Sequence, residues 1–232
     1  MKKTVTELIV ISEQKYKETS KILRVFTREL GKVSILAKGA LGAKSSLTST
    51  TQLFTNSKAT IVKGKSFYYI EGAVLINSNF EIRRNYENLI LGSFLLELVD
   101  KSFLDEEPNT KVFDLLKKTL TLISKEDNIL PLIMAFELKY MSFLGYRPIL
   151  REYDENVFSI LDGGIVEKPS VYKEKTYFVT KKDIYYLKKL LYTSLDEIKE
   201  ENSKELINLQ NILLEYIKYN LDISEFNSLS LI

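Results

Sequence analysis

At Phe80 the spacing of apolar residues changes from every second position to every third and fourth. A period of two puts alternate side chains on opposite faces of a strand; a period of 3.6 gathers i, i+3 and i+4 on one helix face. The 232 residues therefore have to build two architectures in series, strands first and helices second. Before the break, Thr4–Ser12, Ser20–Glu29, Gly31–Gly39, Leu53–Val62 and Ser66–Ile76 read as five strands. Gly31 between the second and third predicts a hairpin. The polar stretch Leu41–Ser49 predicts one longer irregular connection. Five short strands hide both edges only by closing, so residues 1–79 are expected to form a small closed barrel.

After the break, Ile82, Tyr86, Leu89, Ile90, Phe94, Leu95, Leu98 and Val99 mark a helix, and Leu91 and Leu96 widen its apolar stripe until most of it must be buried. Asn109 is the expected N-cap of a second helix carrying Val112, Leu116, Leu120 and Ile123. A third runs from about Asn128 to Leu144, with Pro131 in its first turn and Gly145 at its end. Residues 146–178 interrupt the pattern with Pro148, Gly163-Gly164, Pro169 and a strand over Val171–Val179. Thr180 with Asp183 resembles a capping box opening a helix with Ile184, Leu187 and Leu191. A last helix spans Ser203–Asn220, with Leu206, Leu209, Leu213, Tyr216 and Ile217 on one face. The fold class is α+β: a barrel domain over 1–79 and a helical domain over 80–232, with an insert at about 146–178.

The chain has no His, Cys or Trp. Disulfides, thiol nucleophiles, imidazole bases and the usual zinc ligands are excluded, leaving only oxygen-ligand metal sites. Asp105-Glu106-Glu107, Asp196-Glu197 and Glu200-Glu201 read as solvated charges, and no convergent acidic motif supports a metal-dependent nuclease. No catalytic residue, cofactor or metal is assigned. No apolar run reaches the roughly 18 residues of a membrane span, and the start lacks the apolar core of a signal peptide. A cytoplasmic protein is expected.

The net charge of +2 is unevenly placed. Residues 1–80 hold thirteen Lys/Arg against five Asp/Glu, and the remainder twenty against twenty-six. A basic barrel followed by an acidic half points to different partners, the first of them a polyanion. In the hairpin, Leu23, Val25, Thr27, Val33, Ile35 and Ala37 share the face that fills a barrel. Arg24, Phe26, Arg28, Lys32 and Lys38 fall on the other face. Cations around an aromatic ring suit nucleic acid, since cations hold phosphates and a ring stacks a base. The same pattern also fits an ordinary polar face with Phe26 packed against the helices. Lys15 and Lys17 flank Tyr16 between strands one and two, and Lys63 and Lys65 flank Gly64 between strands four and five. These loops frame the ligand face of small five-stranded barrels. Lys38 and Lys44 bracket Gly39 and Gly42, where backbone can approach phosphate.

Four stretches carry a family likeness. They are Leu23-Arg24-Val25-Phe26-Thr27-Arg28-Glu29-Leu30-Gly31-Lys32-Val33, Ala37-Lys38-Gly39-Ala40, Ser93-Phe94-Leu95-Leu96-Glu97-Leu98-Val99-Asp100, and Phe136-Glu137-Leu138-Lys139 with Leu144-Gly145-Tyr146. Together, in this order, they resemble the bacterial recombination mediator family RecO. The resemblance implies an N-terminal oligonucleotide-binding (OB-fold) barrel, a helical C-terminal domain and no catalysis. It also implies binding and annealing of single- and double-stranded DNA. With RecR, such proteins assist RecA loading on DNA covered by single-strand-binding protein, whose acidic C-terminal tail they also bind. A nucleoid-associated protein of the cytoplasm is implied.

Many family members carry four zinc-binding Cys after the Leu-Gly-Tyr motif; here that insert lacks them. It resembles a zinc finger without its ligands, to be held by packing through Tyr153, Phe158 and Ile160. Lys139, with Phe136, Tyr140 and Phe143 around it, is the candidate site for the acidic tail; the alternative is a solvent-facing helix lysine. The competing function is a protein–protein adaptor that uses the barrel as a scaffold.

Overall fold

A computed structural model describes residues 3–126, 128–170, 175–198 and 203–231. It forms two compact units, residues 1–125 with 226–232, and residues 126–225. The first unit opens with strands β1 (Lys3–Tyr16), β2 (Ser20–Thr27), β3 (Gly31–Ala37), β4 (Asn56–Lys63) and β5 (Tyr68–Asn77). They close into a barrel of order β1-β2-β3-β5-β4, with β4 pairing back on β1. Every ladder is antiparallel except β3 with β5, which pairs only at Ile35↔Tyr68 and Leu36↔Tyr69. Leu8, Val10, Leu23, Val25, Val33, Ile35, Ala37, Ala59 and Ile61 fill the interior, and Leu23, Val25, Val33, Ile35 and Ala37 among them are residues that the alternation in the hairpin selects. The bulge in β1 lies between Val10 and Ser12. The β2–β3 register is unbroken, so the inner and outer faces of the hairpin stay as the alternation assigns them.

Strands give way to helix after Asn77, but this unit is larger than the barrel. It includes α1 (Tyr86–Ser102) and α2 (Thr110–Ile123). Asn85 caps α1 and Asn109 caps α2, each side chain accepting from the amide three residues on. Phe226 returns to this unit and meets Phe94 of α1 edge-on at 4.9 Å. The sequence division at 79/80 thus follows the hydrophobic period, whereas compaction divides at 125/126.

The second unit contains α3 (Leu130–Phe143), α4 (Lys181–Tyr192) and α5 (Ser203–Asn220). Thr180 and Asp183 form the reciprocal capping box of α4. Between α3 and α4 lie three short strands, β6 (Val157–Ser159), β7 (Gly164–Val166) and β8 (Thr176–Phe178), in sheet order β7-β6-β8. The expected strand over 171–179 is seen only as β8, because residues 171–174 lie outside the described set. Phe158 and Ile160 are buried, and Phe158 meets Tyr216 of α5 edge-on at 5.7 Å. Tyr153 is half-buried under Arg151. Ile149 threads against Gly164 so closely that a Cβ there would lie 2.4 Å from its backbone, and only glycine suits the φ of +138°.

Candidate nucleic-acid interface

The outer face of β2–β3 is covered. Phe26 is fully buried, its ring 5.2 Å from Phe103 and 6.2 Å from Phe113 of α2. Residues 105–107 run alongside β3: Asp105 bridges Lys32, and the Glu106 amide donates to the Lys32 carbonyl at 2.9 Å. Gly31 admits this approach, since a Cβ there would sit 2.2 Å from the Glu107 carbonyl oxygen. The segment shields part of an edge that β5 leaves unpaired.

The acidic side chains of this segment meet the cations beneath. Arg24 donates to both Asp105 oxygens at 2.9 and 3.1 Å and to Asp100 at 3.3 Å. Hydrogen bonding from Arg24 holds the Asp105 carboxyl below the usual carboxylate range. Lys32 is buried; it donates to the Asp100 carbonyl and lies 3.3 Å from that carboxylate. Arg28 forms a bidentate pair with Asp114 of α2. Lys63 donates to Glu106 at 2.6 Å, and Tyr68 donates to the same carboxylate at 2.8 Å. The Lys63 contact first, then that of Tyr68, pulls the Glu106 pKa down.

Five of the expected site residues make contacts of this kind. Arg24, Phe26, Arg28, Lys32 and Lys63 are engaged within the unit; Asp105 and Glu106, exposed between α1 and α2 as expected, also serve as counter-charges to Arg24 and Lys63. Phe26 packs on helix side chains because the outer face of a barrel strand becomes interior wherever a second layer covers it.

The remaining lysines gather at one end of the barrel. Lys17 lies in the β1–β2 turn with φ +56°, its ammonium 5.4 Å over Tyr16. Lys15 is on β1 itself, opposite Lys21, since the strand runs on to Tyr16. The Leu41 amide donates to the Thr19 carbonyl at 2.9 Å, joining the β1–β2 turn to the segment after β3. Lys38 opens that segment and stands 5.0 Å over the ring of Tyr69. Tyr69 in turn lies against Gly64, where a Cβ would be 2.4 Å from the ring. Lys65 is in the same β4–β5 turn, and Lys44 is in the series of turns after Gly39. Lys15, Lys17, Lys38, Lys44 and Lys65 are exposed, and among the described residues they form no ion pair. Tyr69 is the residue the sequence reading missed. It lies six residues after Lys63, and nothing in the alternation distinguishes it from a barrel filler.

Residues 1–79 match the family described as Recombination protein O N terminal, and residues 83–230 match Recombination protein O C terminal. A DNA repair protein RecO of Alkaliphilus metalliredigens is 32% identical over 241 residues, 97% of both chains. One from Acetivibrio thermocellus is 31% identical over 170 residues, 69% of this chain and 68% of that one. This chain belongs to the RecO family. Membership places it among DNA repair and recombination proteins, and the closed barrel followed by helices fits that family's OB fold and helical domain.

The residues expected to bind an acidic tail lie in the second unit. Lys139 donates from its ammonium to the carbonyls of Leu191 and Thr193 at 2.6 and 2.8 Å, closing the C-terminal end of α4. Phe136 and Tyr140 are fully buried and stack on each other at 5.3 Å; only Phe143 reaches solvent. They belong to the core of the second unit and form no open groove. Among the described residues no three His, Cys, Asp or Glu side chains are arranged to hold a metal ion, and no helix is long and apolar enough to cross a membrane. Asp196 and Glu197 are exposed in a 3₁₀ turn, while Glu200 and Glu201 lie outside the described residues.

Proposed function

We propose that this RecO-family chain is a non-catalytic, cytoplasmic recombination mediator that binds DNA at the lysine-ringed end of its barrel. Lys15, Lys17, Lys38, Lys44 and Lys65 would hold phosphates of single- or double-stranded DNA, with Tyr16 and Tyr69 available to bases. The observation that carries this reading is the sorting of the basic residues. Arg24, Arg28, Lys32 and Lys63 are matched by carboxylates, whereas among the described residues the lysines around Tyr69 are not. The family's further roles are proposed with it: annealing of complementary strands, action with RecR, binding of the single-strand-binding protein tail, and assistance to RecA.

The test is a salt titration of single-strand binding by Lys17→Glu/Lys38→Glu/Lys65→Glu. Each lost phosphate contact removes about 0.7 from the slope of log K against log salt. The folded triple variant is therefore expected to show a slope flatter by about 2, and an unchanged slope would defeat the barrel-end reading. The adaptor alternative draws on the internally matched strand 2–3 face and expects no salt-dependent binding to oligonucleotides at all.

A further inference from the structure

Tyr69 stands where the barrel closes. On β5 its backbone is opposite Leu36 of β3 on one side and Val62 of β4 on the other, so the main chain is held from both edges. The Gly64 amide donates to the Phe67 carbonyl at 2.9 Å, which folds the β4–β5 turn back on the strand. The ring lies on that turn along its Cδ2–Cε2 side. A Cβ at Gly64 would be 2.4 Å from Cε2, 3.2 Å from Cδ2 and 2.7 Å from the Phe67 carbonyl oxygen. Glycine is therefore needed there to leave the ring its place.

The face of the ring is covered by one group, the Lys38 ammonium at 5.0 Å. The lysine is exposed and the tyrosine half-buried. Tyr16, the other ring of this end, is set differently. It closes β1, where only β2 still pairs with the strand, and its cation is the next residue, Lys17, in the turn. Tyr69 is thus a fixed ring under a movable cover, since lysine carries its charge on a flexible four-carbon stem. A base stacked on an aromatic ring is worth more than an exposed cation over it. A base that takes the ring face frees the ammonium beside the phosphates of the same strand.

We propose that Tyr69 is the stacking platform for an unpaired base, that Gly64 positions it, and that it makes the barrel end prefer single-stranded to double-stranded DNA. Phosphates are present in both forms, so the lysines draw either one without reading the difference. In a duplex each base already has neighbours on both faces, and meeting a protein ring costs the opening of the stack. A single strand offers that face freely. The inference rests on the reading of the barrel end as the DNA site and names the form of DNA that the site selects.

The test is a pair of anisotropy titrations of the full-length protein, with oligothymidylate and with a blunt duplex of the same length at one salt concentration. Tyr69→Leu is expected to lower the ratio of single-strand to duplex affinity about five- to a hundredfold. The slope of log K against log salt should not move, since no phosphate contact is lost. Tyr69→Phe keeps the ring and is expected to keep the ratio. Gly64→Ala keeps the tyrosine but pushes the ring off the turn, and is expected to lower the ratio as Tyr69→Leu does. A strand carrying 5-iododeoxyuridine, irradiated on the wild-type protein, is expected to crosslink to Tyr69 within the tryptic peptide of residues 66–83; this readout decides the matter even if a variant does not fold. An unchanged ratio in folded Tyr69→Leu, or a crosslink on Tyr16 with none on Tyr69, would overturn the proposal. If the ratio drops while Lys17→Glu/Lys38→Glu/Lys65→Glu keeps the wild-type salt slope, the reading of those lysines as phosphate contacts fails and the Tyr69 platform stands. If that variant loses its slope while the ratio in Tyr69→Leu is unmoved, the DNA lies at the barrel end and the platform is overturned.

Discussion

Phe26→Ala is expected to destabilise the barrel unit by about 3–5 kcal/mol, the usual cost of truncating a fully buried aromatic side chain. Affinity of the folded variant for oligonucleotides is expected to stay the same. The ring has 0% exposure and contacts Phe103 and Phe113, so its removal leaves a cavity between the strands and α2. A stacking ring gives the reverse pattern, with weaker binding and an unchanged melt. Urea unfolding combined with an oligonucleotide titration at low temperature separates the two. Phe26→Leu, which keeps an apolar side chain in place, should lose less stability and guards against complete unfolding of the alanine variant. Several-fold weaker binding at an unchanged urea midpoint would return Phe26 to the interface.

The same residue shows how far the sequence pattern reaches. Alternation in Ser20–Thr27 and Gly31–Ala37 separates two faces of a hairpin, and the inward set is the barrel core. It does not say what lies outside the outward set. Covering that face takes Phe103, Phe113 and the Asp105–Glu107 segment, and Asp105 is 81 residues from the Arg24 it pairs with. A pairing of that span leaves no periodic trace.

The charge asymmetry has the same origin in part. Arg24 with Asp100 and Asp105, Arg28 with Asp114, and Lys63 with Glu106 match a basic barrel to acidic residues that follow it in the chain. A basic half and an acidic half therefore describe an internal complement as well as a polyanion site. Exposed pairs of this kind contribute only about 0–1 kcal/mol each. Their consequence for binding is larger than for stability, because a phosphate has to displace a carboxylate already in place. Among the described residues the turn lysines carry no such competitor.

Local signals fared differently. Asn109, Pro131, Gly145 and the Thr180–Asp183 box act within one turn of chain, and each stands where its chemistry requires. The helix α3 was legible as a helix but not as to its surroundings. Its sequence, LPLIMAFELKYMSF, is apolar on every side, and that composition marks a buried helix. Reading Lys139 with Phe136, Tyr140 and Phe143 as a groove required a solvent face that such a helix does not have. The lysine instead reaches the end of α4, and the other charged residue of α3, Glu137, is carried into the core.

Glu137→Gln is expected to stabilise the protein at pH 8 and to leave it nearly unchanged at pH 5. Glu137 is fully buried, and its one hydrogen-bond partner among the described residues is the Gln210 amide, which donates at 2.7 Å. Burial pushes the carboxyl from its ordinary 4.5 up to about 8, although the Gln210 hydrogen bond works in the other direction. Its Oε2 and the Gln210 Oε1 are buried without partners among the described residues. A proton on the carboxyl makes the two complementary, one a donor and the other an acceptor. Between pH 4.5 and 8 the folded chain then holds a proton that the unfolded chain has released. Stability falls as pH rises through this window and levels off above the folded pKa. A shift of that size corresponds to a loss of the order of 5 kcal/mol by pH 8. Glutamine has the shape of the protonated acid and never ionises, so the variant's advantage over wild type should grow with pH across this range. Urea unfolding of both proteins at pH 5, 6.5 and 8 measures that difference directly and cancels the titration of every other group. An advantage that stays constant across the three pH values, or a variant less stable at pH 8, would mean that Glu137 is already ionised in the folded core.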